Sequence, residues 1–293
     1  MALFERDLMT LDFEGSGIRF LLVRGGRVVR WEALSVLPEQ MSQGVVHDPA
    51  SVGGALRELL DRNDAHKGRV VTSVTGLRAI SRLMTLPPIK ERLLEDTLRH
   101  KIRQDTSLPL DDMDLSWHVV RRAADGLEVY ALAVPREAID RQVETLAVAG
   151  LRPNAMDVKP LALARLVEAP SAIVLNVEDH SLSVLILRRW MPVVVRTVPF
   201  GVGRAAPEAR LDFLLQELAR TTKFYSEGHR DDAIEPGAPL LATGELFEHT
   251  DFLEALANRH GGPVQVPIPA LPHPDDLPAA TYSVNLGLAA KKV

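Results

Sequence analysis

Asp12, Glu14, Gly15 and Ser16 fall in one short run between apolar stretches ending at Phe13 and starting at Ile18, a pattern of strand, tight turn and strand. An aspartate followed by glycine and serine suits phosphate chemistry. Glycine lets the backbone approach closely, its N–H groups wrap the phosphate oxygens, and the serine hydroxyl adds a donor. Glu14 stands in the same run, beside that glycine. A carboxylate there repels a triphosphate, by several kcal/mol in a partly desolvated cleft. A plain β-turn is the competing reading of the same residues.

The other chemistry-bearing side chains form no comparable pattern. His100, His118, His180, His229, His249, His260 and His273 are scattered without metal-ligand spacing. Asp111, Asp112 and Asp114, like Asp231 and Asp232, read as loop acids without an assignable partner. Arg188 and Arg189 sit in a hairpin turn with Trp190 at a strand edge. Gly201-Val202-Gly203 reads as a turn into a helix whose N-terminus can receive phosphate or be an ordinary cap. Walker A, Rossmann and nucleophile-elbow motifs are absent.

The chain of 293 residues carries a net charge of −5, which argues against nucleic-acid binding, and contains no cysteine, which excludes disulfides, thiolate metal sites and thiol nucleophiles. Neither a signal peptide nor an apolar run long enough to span a bilayer is legible, so a cytosolic protein without direct membrane insertion is expected.

The elements that position the first turn follow in order. A third strand covers Val28 to Ala33, a helix runs from Asp48-Pro49 to Asp61, and a β-branched strand covers Arg69 to Thr75. From Ala79 to Val158 the order is βαββαβ, a split unit able to fold as an inserted subdomain. Its helices carry Leu94, Leu98 and Ile102, then Ile139, Val143 and Leu146, and the second ends at Gly150. A connecting helix spans Lys159 to Glu168. A three-strand meander from Ala172 to Val198 then repeats the opening pattern, implying two related lobes around a ligand cleft. Helix Pro207 to Tyr225, strand Pro239 to Thr243 and helix Glu248 to Asn258 follow. A proline-rich extended stretch from Pro263 to Ala280 leads to a last helical segment, Thr281 to Ala290.

An opening hairpin of this kind resembles that of the actin, sugar-kinase and Hsp70 class. The phrasing of the rest resembles the type IV pilus assembly protein PilM family, relatives of the division actin FtsA. The resemblance is carried by Arg82-Leu83-Met84-Thr85-Leu86-Pro87, by Ser107-Leu108-Pro109-Leu110-Asp111-Asp112, and by Ala149-Gly150-Leu151-Arg152-Pro153. Asp157 to Arg165 and Leu214 to Tyr225 extend it, and it is collinear from about Met9 to Ala289. It implies an α/β, two-lobed actin-like fold with ribonuclease H-like lobes and an inserted βαββαβ subdomain in the first lobe. The boundaries expected are 1–77 for the first part of lobe one and 78–157 for the insert. A connecting helix at 158–171, lobe two at 172–270 and a C-terminal return to lobe one at 271–293 complete the order.

The resemblance also implies a nucleotide cleft, and the departures in it are acidic. Asp12, Gly15 and Ser16 are kept, with Glu14 at the glycine position. The second motif reads Asn176-Val177-Glu178, with Asn for Asp and Glu for Gly, and the third reads Gly244-Glu245 where the family has a glycine pair for adenosine. Three acids converging on one cleft repel a triphosphate, and Asn176 lacks the charge that would hold Mg²⁺. The expectation is a vestigial nucleotide cleft with no cofactor and no enzymatic activity, ATP with Mg being the alternative. The resemblance further implies a scaffold, peripheral to the inner membrane, that binds the cytoplasmic N-terminal peptide of a PilN-like protein. The peptide groove implied is bordered by Arg82, Met84, Leu86, Leu108, Pro109 and Leu110. Other cytoplasmic components of the machine stand open as partners, as does oligomeric state. The alternative functions are a nucleotide-dependent switch and, on the same superfold, a sugar or acid kinase.

Overall fold

Alternation along the first strand sorts its side chains between two environments. Met9, Leu11 and Phe13 enter one apolar core, while Thr10 and Asp12 belong to the opposite face. The computed structural model describes residues 7–74, 79–105, 110–124, 126–200, 207–229, 234 and 237–292.

In chain order, lobe one opens with β1 (Leu8–Glu14), β2 (Gly17–Arg24), β3 (Arg27–Ser35), the small hairpin β4 (Met41–Ser42) and β5 (Val45–Val46), α1 (Pro49–Arg62) and β6 (Arg69–Val74). Asp48 caps α1 by accepting from the Ser51 N–H at 3.0 Å, and Pro49 occupies the first helical turn. The insert contributes β7 (Ile80–Leu86), α2 (Leu94–Asp105), β8 (Met113–Ala123) and β9 (Gly126–Pro135). Then come α3 (Arg136–Val148), β10 (Ala155–Val158) and α4 (Lys159–Ala164). Lobe two comprises β11 (Ser171–Val177), β12 (Ser181–Arg188), β13 (Met191–Pro199), α5 (Pro207–Gly228), β14 (Leu240–Thr243), α6 (Thr250–His260) and β15 (Val264–Gln265). The last helix is α7 (Ser283–Ala289).

Two sheets repeat one topology. The first has the order β10-β6-β1-β2-β3 and the second β13-β12-β11-β14-β15, each with an antiparallel meander beside parallel crossover strands. Helices α1 and α3 cover the outer face of the first sheet, where Leu56, Leu59, Leu60 and Leu146 meet the β1 side chains. Their backbones run so close that a Cβ on Gly53 would lie 2.6 Å from the Val148 Cβ. Helices α5 and α6 cover lobe two through Leu211, Leu214, Leu218 and Leu256. Between the sheets lie α4 and α7, whose Ala162, Leu163, Val284 and Leu288 pack with Val71 of lobe one and Val174, Leu185 and Leu241 of lobe two. The core between the lobes is therefore apolar at one end, and the interlobe site described below forms its polar end.

The insert is smaller than its order of elements implies. Among the described residues β7, β9 and β8 form its sheet, with Leu94, Leu98 and Ile102 of α2 packed on Val129, Ala131 and Ala133. The element order βαββαβ holds, but α3 packs on α1, and β10 pairs in parallel with β6 of lobe one, Asp157 opposite Ser73. The boundary expected at Asp157 is corrected to Pro135, because the apolar faces of α3 and β10 complete the lobe-one core. The connecting helix is likewise shorter than expected, ending at Ala164 rather than Glu168.

Candidate interlobe site

The first turn and its counterpart in lobe two are built alike. Glu14 pairs with Gly17 across the turn of Gly15 and Ser16. In lobe two the Glu178 N–H donates to the Ser181 carbonyl at 2.9 Å across Asp179 and His180. Gly15 adopts a left-handed φ of 55°, which an L side chain rarely takes, and a Cβ there would lie 3.5 Å from His180 Cδ2. The two turn tips thus meet across the lobes. Behind each stands a matching polar pair. Ser73 on β6 donates to Asp12 Oδ1 at 2.6 Å, and Thr243 on β14 donates to Asn176 Oδ1 at 2.9 Å. Asn176 keeps the hydrogen bond of its lobe-one counterpart without its charge.

Two cations that motif reading does not single out enter this arrangement. Arg19 on β2, opposite Asp12 in register, places Nη1 2.8 Å from Glu178 Oε2 and 3.6 Å from Asp12 Oδ2. Lys159, the first residue of α4, lies 3.0 Å from Asp12 Oδ1 and also bonds Glu14. Ser181 Oγ stands 3.5 Å from Glu14 Oε1. Three carboxylates and two cations therefore share one buried cluster, with Asp12 fully buried, Glu178 1% exposed and Arg19 11% exposed. A lysine at a helix start opposes the helix dipole, and the carboxylates offset that here. The expected field of bare acids is corrected accordingly: Glu14 and Glu178 are ion-paired.

Burial opposes every charge in the cluster, and the partners offset that to different extents. For Asp12 the penalty of burial is outweighed by Lys159, then Arg19 and the Ser73 hydroxyl, so its carboxyl sits below the usual aspartate value. For Lys159 the carboxylates of Asp12, Glu14 and Glu178 outweigh burial and hold it cationic. Arg19 is likewise held cationic against burial by Glu178 and Asp12. Glu178 goes the other way. Burial pushes its carboxyl up, and Arg19 and Lys159 offset that only in part.

A second layer holds these groups. Gln142 on α3 donates to the Thr72 hydroxyl and to the Ser73 carbonyl, both at 2.7 Å, and so fixes the serine that faces Asp12. Asn285 on α7 donates to the Thr10 carbonyl at 3.1 Å and to the Arg19 carbonyl at 2.9 Å, which pins the strand carrying the arginine.

The remaining predicted positions scatter. Ser16 is half-buried, and its carbonyl accepts from the Val36 N–H at 2.9 Å. Gly244 has φ 101°, and a Cβ there would lie 1.9 Å from the Val177 carbonyl, so the strand crossing itself requires glycine. Glu245 is exposed and lines, with Glu178, Asp179, Arg210, His249 and Asp251, a cleft of about 500 Å³ confined to lobe two. Glu14 is not part of that wall. Of the peptide-groove residues, Leu86 and Leu110 are buried in the insert core, Met84 packs against it half-buried, and Arg82 is exposed. Leu108 and Pro109 lie outside the described residues, as do Gly201 to Gly203 and Asp231-Asp232. Among the described residues no helix is long and apolar enough to cross a membrane, and no His, Asp and Glu grouping is suited to a metal.

Two sheets of one topology, joined by central helices and facing each other through paired turns, define a two-lobed protein of the actin-like class. The sequence model of the family described as type IV pilus assembly protein PilM matches residues 11–186, and the chain belongs to that family. Among solved structures, the chain is similar to a PilM-PilN type IV pilus biogenesis complex at 21% identity and TM-score 0.79, covering 96% of this chain and 97% of that one. It is also similar to the cytoplasmic domain of EpsL, an inner-membrane component of the type II secretion system of Vibrio cholerae, at 12% identity and TM-score 0.56, covering 98% and 96%. A Bacteroides thetaiotaomicron protein with an actin-like ATPase fold follows at 12% identity and TM-score 0.51, covering 99% and 100%. No curated protein matches the chain in sequence.

Proposed function

We propose that this type IV pilus assembly protein is a cytoplasmic adaptor that binds the N-terminal cytoplasmic peptide of a PilN-like inner-membrane protein and works without ATP hydrolysis. The observation that carries the second half is the position of Lys159. Its ammonium group bonds both Asp12 and Glu14, the carboxylates that would face a metal-bound phosphate. A metal–nucleotide does not fit carboxylates already engaged by a lysine in this way. Family membership and the likeness to a PilM-PilN complex support the first half. The extended peptide is proposed to lie in a groove between lobe one and the insert, beside β7, on which Arg82 is exposed and Met84 half-buried.

One observation favours a nucleotide-dependent switch instead. The lobe-two cleft of about 500 Å³ is large enough for a small ligand. Fluorescence anisotropy with a labelled N-terminal peptide of the PilN-like protein tests the adaptor reading. Saturable micromolar binding without added nucleotide supports it, and binding that requires Mg-ATP favours the switch.

A further inference from the structure

Arg19 and Glu178 belong to different lobes, and so do Glu14 and Ser181. The turns beside them come close at Gly15 and His180, where a Cβ on the glycine would lie 3.5 Å from His180 Cδ2. In a two-lobed protein with a ligand between its lobes, the ligand's charges bridge the halves. Here charges of both signs from the chain's own side chains meet across the lobes, and the cluster is largely shielded from solvent, so bulk salt screens it weakly. Breaking a buried pair leaves an uncompensated charge, which makes such a pair close to all-or-none.

We propose that the Asp12–Glu14–Arg19–Lys159–Glu178 cluster is a built-in interlobe clasp. It holds the two lobes together through the chain's own charges. The geometry supports this in three ways. The cations come from separate elements, β2 and the start of α4, so the clasp joins the connecting helix to both turns. The strand bearing Arg19 is itself pinned by Asn285 of α7, which lies between the lobes. The apolar packing of α4 and α7 backs the cluster from behind. This inference rests on the nucleotide-independent reading above, and its test separates the two.

The test compares the full chain with Arg19→Glu, Glu178→Arg and the double charge swap, by hydrogen exchange and small-angle scattering. Each single reversal is expected to speed exchange in peptides covering residues 8–24 and 171–188 on the order of a hundredfold and to enlarge the radius of gyration. The double swap is expected to recover part of both, because it restores the pair across the lobes while losing the attraction to Asp12. Unchanged exchange and radius in the singles would overturn the clasp. Because a reversal can unfold the chain, the unaltered protein supplies a second readout. Its radius of gyration is expected to be the same with and without Mg-ATP. Compaction on adding Mg-ATP would overturn the clasp. Heat of ATP binding with no compaction would leave the clasp standing and remove the nucleotide-free reading instead.

Discussion

Arg19 of lobe one and Glu178 of lobe two approach to 2.8 Å with only 11% and 1% of their side chains exposed. Each stands on an element that would otherwise frame an open cleft, Arg19 on β2 and Glu178 at the turn after β11. The pair turns one acidic departure from a phosphate-binding pattern, Glu178, into an internal ionic contact.

Removing the cation should therefore be more harmful than the loss of an ordinary surface arginine. Arg19→Met leaves Glu178 buried beside Glu14 and Asp12 with one cation fewer. The expected loss is about 3–5 kcal/mol of unfolding free energy, read as a lowered urea midpoint. A loss below about 1 kcal/mol, the range of surface pairs, would show that the contact is energetically idle.

The pH dependence follows from Asp12. Its folded-state pKa lies below the ordinary value of 3.8, so the folded state binds fewer protons than the unfolded one as that range is crossed. The stability contributed is complete above that value and is lost as pH falls through the lowered folded value. The advantage of the natural chain over Asp12→Asn should be roughly 2–4 kcal/mol near neutrality and should shrink below about pH 4. Denaturation curves of both proteins across that range check it, and a constant difference would contradict the assignment.

Gly244 tests the packing account without touching a charge. Its φ is 101°, and a Cβ would fall 1.9 Å from the Val177 carbonyl oxygen, so Gly244→Ala must displace β11. A destabilisation of about 3 kcal/mol is expected, seen as a drop in thermal midpoint. An unchanged midpoint would mean that the glycine serves only close approach by a ligand.

The insert should be removable. Ile80 and Ala133 are register partners on neighbouring strands, so the chain enters and leaves the insert at adjacent points. Replacing residues 81–132 with a short glycine-serine linker should preserve a single cooperative unfolding transition while abolishing partner-peptide binding. Loss of cooperative folding would place the insert within the lobe-one core.

Much of this was legible in the residues. The meander from Ala172 to Val198 repeats the opening strands, and the structure has two sheets of one topology. Glu14 and Glu178 stand out in the sequence because an acid replaces a glycine in a turn. Arg19 and Lys159 do not, because one basic residue in a strand and one at a helix start are ordinary. Only register, Asp12 opposite Arg19, and the entry of α4 bring them together. A signal for Lys159 is present in its place at the first turn of a helix, where a cation is unfavourable without a nearby acid. Sheet membership is the other hidden quantity. Element order around α3 and β10 fits either the insert or lobe one, and the choice rests on Leu146 and Val158 finding lobe-one partners.

Calorimetric titration of the purified chain with Mg-ATP tests the central claim most directly. A cluster in which Lys159 and Arg19 already pair with the acids predicts no saturable heat up to millimolar nucleotide. Saturable micromolar binding to the unaltered chain would contradict the nucleotide-free reading outright.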